Sequence, residues 1–107
     1  MDRQALVAIT TLGTESDARA LVTALVEDRL IACGTLFPAA RSIYRWDTRV
    51  VEESEVVVLL KTDTACWDAL CAAIERRHPY QVPELLALPV SAGLERYLSW
   101  IASEVAG

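Results

Sequence analysis

An α+β fold, with one antiparallel sheet and both main helices on one of its faces, is predicted by three features of this 107-residue chain. Apolar residues recur at helical spacing in two segments that are separated by strand-like stretches. Two of those stretches follow one another with only Asp47-Thr48 between them, which makes a hairpin. The remaining strands flank the helices, so the order is strand, helix, strand, strand, helix, strand and a short closing helix. A chain of this length has room for one domain, spanning 1–107.

Each element has a local reason. Ala5 to Thr11 is a nearly continuous apolar run ending near Gly13, the pattern of a strand covered on both faces. Thr14 or Ser16 caps the first helix, with Glu15 and Asp17 at its positive end. Ala18, Leu21, Val22, Leu25 and Val26 form its apolar stripe. From Ile31 to Trp46 the chain is extended, and Pro38, which cannot donate to a ladder, makes this an edge, a bulge or a break. The partner strand runs from Arg49 to Lys61, with Glu52, Glu53 and Glu55 reading as a solvated strand end. Arms of about 12 residues are twice the usual strand length, so the far end of the hairpin is either solvated or paired with a neighbour. Thr62 or Asp63 caps a second helix whose buried face is Trp67, Leu70, Cys71 and Ile74. It ends at Arg76-Arg77-His78 before Pro79. Glu84 to Val90 reads as the fourth strand, and Leu94, Tyr97, Leu98 and Ile101 as the closing helix. This βαββαβ order is the ferredoxin-like arrangement, here with a long β-hairpin and a short C-terminal helix.

Composition narrows the function classes. Apolar residues make up 53% of the chain and mean hydropathy is +0.29, more than a monomer of this size normally carries, which favours an oligomer. A net charge of -5 argues against a nucleic-acid partner. No run approaches the roughly 20 apolar residues of a membrane span. Met1-Asp2-Arg3-Gln4 leads straight into a strand without a signal-peptide pattern. Three cysteines without Cys-x-x-Cys spacing fit free thiols in a reducing cytoplasm.

His78, the only histidine, reads either as a helix-ending residue or as a metal ligand. In the second reading Cys33 and Glu84 are its natural companions, since both lie at the starts of strands. Three donors imply an open or shared site. Cys66 and Cys71 do not share a helix face and read as core thiols. Cys33 as nucleophile with His78 as base lacks an orienting group and an oxyanion site, so no enzyme is expected. Tyr44 and Trp46 alternate onto one face of the hairpin, as an intersubunit contact or as a ligand platform with Arg45 or Lys61 nearby.

Ala32-Cys33, Ser42-Ile43-Tyr44-Arg45-Trp46, Glu52-Glu53, Lys61-Thr62, His78-Pro79-Tyr80, Val82-Pro83-Glu84, Pro89 and Tyr97-Leu98-x-Trp100 together resemble the CutA family of divalent-cation tolerance proteins. The resemblance covers nearly the whole chain in order. It implies a homotrimer held through the long hairpin, binding of copper or other divalent cations, a role in metal tolerance, and no catalytic reaction. It carries Cys33, His78 and Glu84 over as metal ligands, and Tyr44, Trp46, Lys61, Tyr80 and Trp100 as intersubunit or pocket residues. The trimer's likeness to PII-type signal proteins implies an alternative role, binding a small anionic metabolite. The chain departs from the family at Gly34-Thr35, where Val-Asn is usual, and at Gln81, where a glutamate is common. It also departs at Thr48, where glycine is common, which implies a different turn geometry.

Overall fold

The computed structural model describes residues 3–106; Met1, Asp2 and Gly107 lie outside the described residues. Four strands and three helices follow in the order β1 (Ala5–Leu12), α1 (Glu15–Glu27), β2 (Cys33–Trp46), β3 (Arg49–Asp63), α2 (Trp67–Arg77), β4 (Leu86–Pro89) and α3 (Glu95–Glu104). The sheet is antiparallel throughout, with spatial order β2-β3-β1-β4. Thr14 caps α1, its hydroxyl accepting from the Asp17 N–H at 3.0 Å. Asp63 caps the 3-10 turn Thr64–Cys66 that leads into α2. Thr62 instead donates its hydroxyl to the Leu30 carbonyl at 2.7 Å. The fourth strand is shorter than expected, because Glu84 and Leu85 remain outside the ladder.

The core joins one face of the sheet to the helices. Ala8, Leu12, Val56, Val58 and Leu60 meet Ala18, Leu21 and Leu25 of α1 and Leu70, Ala73 and Ile74 of α2. Gly34 is part of this fit. A Cβ there would stand 2.6 Å from Cγ1 of Val22, so α1 occupies the volume a side chain would need.

The expectation that β1 is covered on both faces is not met within one chain. Its burial alternates over Ala5–Ile9, and Val7 and Ile9 point to a face that carries no helix. That open face continues through Val57 and Leu59 of β3, Phe37 of β2 and Leu86 and Leu88 of β4, by register.

The hairpin departs from a plain ladder at one point. Two residues of β2, Pro38 and Ala39, stand between Phe37↔Val57 and Ala40↔Glu55, where β3 has only Val56. This is a bulge of one residue; it takes the proline that has no N–H to contribute, and Ala39 has φ of 63°. The extra residue resets the alternation. Cys33, Thr35 and Phe37 therefore share a face with Ala40, Ser42, Tyr44 and Trp46. Because β1 pairs only with Val56 to Asp63, the Arg49–Glu55 end of the hairpin projects beyond the sheet, and the molecule measures 44 × 25 × 24 Å.

The turn corrects an expectation. Asp47 and Thr48 have φ of 51° and 67° between the paired Trp46 and Arg49, so both central residues are left-handed despite the threonine. The β-branched side chain is strained there. Thr48→Gly is expected to stabilise the protein by about 1 kcal/mol, read as a higher urea midpoint with an unchanged slope.

Candidate functional site

A groove of about 640 Å³ lies where the hairpin passes the segment between α2 and β4. Tyr44 and Trp46 of β2, Glu53 and Glu55 of β3, and Tyr80 and Glu84 of the connecting segment provide its chemistry. Ile43 and Val82 add apolar surface, and among the described residues no Lys, Arg or His lines it.

Register places the hairpin residues. The two-residue turn sets Tyr44 opposite Val51 and Ser42 opposite Glu53, so Glu53 and Glu55 fall on the face of Tyr44 and Trp46. The Tyr44 hydroxyl donates to Glu53 Oε1. Tyr80 Oη donates to Glu55 Oε2 at 2.8 Å, and Glu55 is only 8% exposed. The reading of the three glutamates as a solvated strand end therefore fails for Glu55, which Tyr80 covers from a segment 25 residues away in sequence. Glu52, on the other parity, does remain exposed, beside Arg41 at 3.5 Å.

His78 holds the connecting segment in place. It is buried, and Nδ1 accepts from the Tyr80 N–H at 3.1 Å. Its proton then resides on Nε2, which donates to the Thr11 carbonyl at 2.7 Å. The His78 and Tyr80 rings meet edge-on at 4.8 Å. Both imidazole nitrogens are thus engaged, so His78 positions Tyr80 and has no lone pair free for a cation.

Tyrosine acidity reports the carboxylates. Burial, and then the hydrogen bond to Glu55, push the Tyr80 phenol far above its ordinary 10.0. The bond to Glu53, then burial, raise Tyr44. A proton held more tightly by the folded state than by the unfolded one makes stability fall as pH rises past the ordinary phenol value. Stability is therefore expected to decline above pH about 10, with a shallower decline in Tyr80→Phe. At neutral pH that variant should lose about 2 kcal/mol, because Glu55 keeps its burial and loses its donor. Urea titrations at several pH values check both.

The structure separates the other expected residues. Lys61 pairs with Cys33 at the opposite end of the open face, Nζ lying 3.0 Å from Thr35 Oγ1 and 3.9 Å from the half-buried Cys33 Sγ. Four residue steps along β3, about 14 Å of strand, divide that cluster from the Val57 row that holds Thr11. Lys61 thus does not join Tyr44 and Trp46, and the basic partner that motivated an anionic metabolite is missing from the groove. Trp100 lies on α3, stacked on Tyr97 at 5.7 Å, in a different concavity with Leu94.

A metal centre of Cys33, His78 and Glu84 is not formed within one chain. Glu84 lines the groove, Cys33 lies beside Lys61, and His78 is committed to Thr11 and Tyr80. Among the described residues no group of three His, Cys, Asp or Glu side chains is placed to hold an ion. Burial raises the Cys66 and Cys71 thiols above their ordinary value, consistent with packing roles. Glu53 and Glu55 are the groove residues that sequence reasoning missed, although the two-residue turn and strand parity already put both beside Tyr44.

Comparison with known proteins gives one consistent answer. The family model described as CutA1 divalent ion tolerance protein matches residues 6–104. A divalent-cation tolerance protein CutA of Pectobacterium atrosepticum is 44% identical over 97 residues, covering 91% of this chain and 88% of the relative. One from Thermus thermophilus is 43% identical over 95 residues, covering 89% and 92%. The solved structure of the Thermus thermophilus divalent cation tolerance protein superposes with a TM-score of 0.93 at 40% identity, covering 95% of this chain and 99% of that one. CutA1 from Oryza sativa does so with 0.94 at 28% identity, covering 96% and 94%. With matches to sequence and fold running almost end to end, this chain belongs to the CutA1 family of divalent-ion tolerance proteins.

Proposed function

We propose that this chain forms a homotrimer of ferredoxin-like subunits in the cytoplasm, binding divalent cations, copper among them, as part of metal-ion tolerance and catalysing no reaction. The observation that carries the assembly is the open sheet face. Phe37, Leu86 and Leu88 remain 48%, 58% and 54% exposed there, beside half-buried Val7, Ile9, Val57 and Leu59. An apolar face of this extent, continuous with a projecting hairpin, is the surface that a second copy covers. Three free cysteines suit a reducing compartment.

The cation reading rests on family membership and on the groove's oxygen donors. Glu53 and Glu84 are exposed carboxylates of the kind divalent ions accept, with the remaining positions left to water or a neighbouring copy. Calorimetric titration of copper(II) tests this. Glu53→Gln and Glu84→Gln are expected to weaken binding about tenfold or more, about 1.4 kcal/mol, while Cys33→Ser, at the far end of the open face, leaves it within about twofold. The reverse pattern would return the ion to a thiol site. The small-anion signalling alternative is not favoured, because the groove carries three carboxylates and no basic side chain.

A further inference from the structure

The groove combines two kinds of surface that a bare metal ion uses only in part. One is the aromatic wall of Tyr44, Trp46 and Tyr80, extended by Ile43 and Val82; the other is the set Glu53, Glu55 and Glu84. Within one chain Trp46 is 50% exposed and Tyr44 38%. Among the described residues no basic side chain forms a salt bridge with Glu53, Glu55 or Glu84. The carboxylates instead have phenol partners, Tyr44 for Glu53 and Tyr80 for Glu55, which orient them without neutralising them. The volume, about 640 Å³, lies in the range of small-molecule sites.

From this pairing we propose that the groove binds small organic ammonium ions carrying an aromatic or aliphatic body. The ammonium is held by the carboxylates and attracted to the π faces of Tyr44 and Trp46, while the body displaces water from Ile43 and Val82. A metal ion satisfies the charge and leaves the aromatic wall wet. A small anion meets three carboxylates. An organic cation meets both surfaces with complementary chemistry. This assignment does not require the copper reading, since it needs neither a thiolate nor a closed ligand set.

The test is calorimetric titration of the full-length protein with tyramine in the presence of a metal chelator. The control is 3-(4-hydroxyphenyl)propionate, which has a similar phenol body and the opposite charge. Tyramine is expected to bind saturably and the carboxylate to give no binding heat. Trp46→Ala and Glu84→Gln, both at exposed positions, should each weaken tyramine by about fivefold or more. Trp67→Phe, outside the groove, should change nothing. Equal binding of the two phenols, unchanged affinity in both groove variants, or no saturable tyramine binding would overturn the proposal. Copper titration in parallel separates the two readings, because loss of tyramine binding with copper binding retained rejects only this one.

Discussion

Replacing Leu59 by Glu is expected to give a folded monomer in place of the proposed trimer. Leu59 lies mid-strand on the open face, opposite Ile9 of β1 and Thr35 of β2, so its side chain points away from the core that α1 and α2 cover. In a single chain the new carboxylate is solvated and the sheet keeps its ladder. In an assembly that buries this face, every copy brings an unpaired charge into an apolar contact, at several kcal/mol each. That exceeds what a contact of ordinary size recovers by excluding water from one leucine, about 2 kcal/mol. Light scattering should fall from three times the 11.8 kDa chain mass to one, with the far-ultraviolet circular dichroism retained. A variant that stays trimeric would show that the open face is not the interface. Leu60→Glu, one residue along and fully buried in the core, should instead unfold the chain.

Asp63→Ala should be among the most destabilising single changes outside the apolar core, costing about 3 kcal/mol or more. Asp63 is 2% exposed and joins three elements. Its Oδ1 accepts from the Ala65 N–H at 3.0 Å, capping the turn into α2. Its Oδ2 takes Arg3 Nε at 2.7 Å, with Nη2 of the same guanidinium at 2.5 Å, and its backbone pairs with Ala5 at the start of β1. The cap contributes about 1 kcal/mol and the charge-assisted bonds about 2. Arg3 is partly exposed and rehydrates once its partner is gone, so no buried cation is left behind. Asp63→Asn keeps the Oδ1 acceptor and should cost about half as much. Arg3→Ala strands the buried carboxylate and should approach the loss in Asp63→Ala. Urea denaturation at fixed protein concentration measures all three, since the stability of the proposed oligomer would depend on concentration. A loss under about 1 kcal/mol in Asp63→Ala would mean that water screens the pair.

Most of the secondary structure was legible because its signals are local. Thr14 before acidic residues, the spacing of Ala18, Leu21 and Leu25, and Pro79 after His78 each act within one or two turns of chain. The two-residue turn was legible as well, although its left-handed backbone at Thr48 was not: a threonine there is unfavourable locally and is imposed by the two long strands it joins. The groove was legible in part. Tyr44 and Trp46 share a face by alternation alone, and Tyr80 and Glu84 join them because the connecting segment folds back against the hairpin.

By itself the sequence determined the order of the elements, the caps, the long hairpin and its edge position, because each follows from periodicity or from a backbone that proline or a capping side chain restricts. Only the tertiary structure decided what the chemically interesting residues do. One extra residue at Pro38-Ala39 put Cys33 on the face of Tyr44, yet left it at the other end, beside Lys61. Packing of the 78–84 segment turned His78 from a candidate ligand into a support for Tyr80, and Glu55 from a solvated acid into a buried one. The physical reason is that an element forms from its own neighbours in sequence, whereas burial and hydrogen-bond partners come from segments far along the chain.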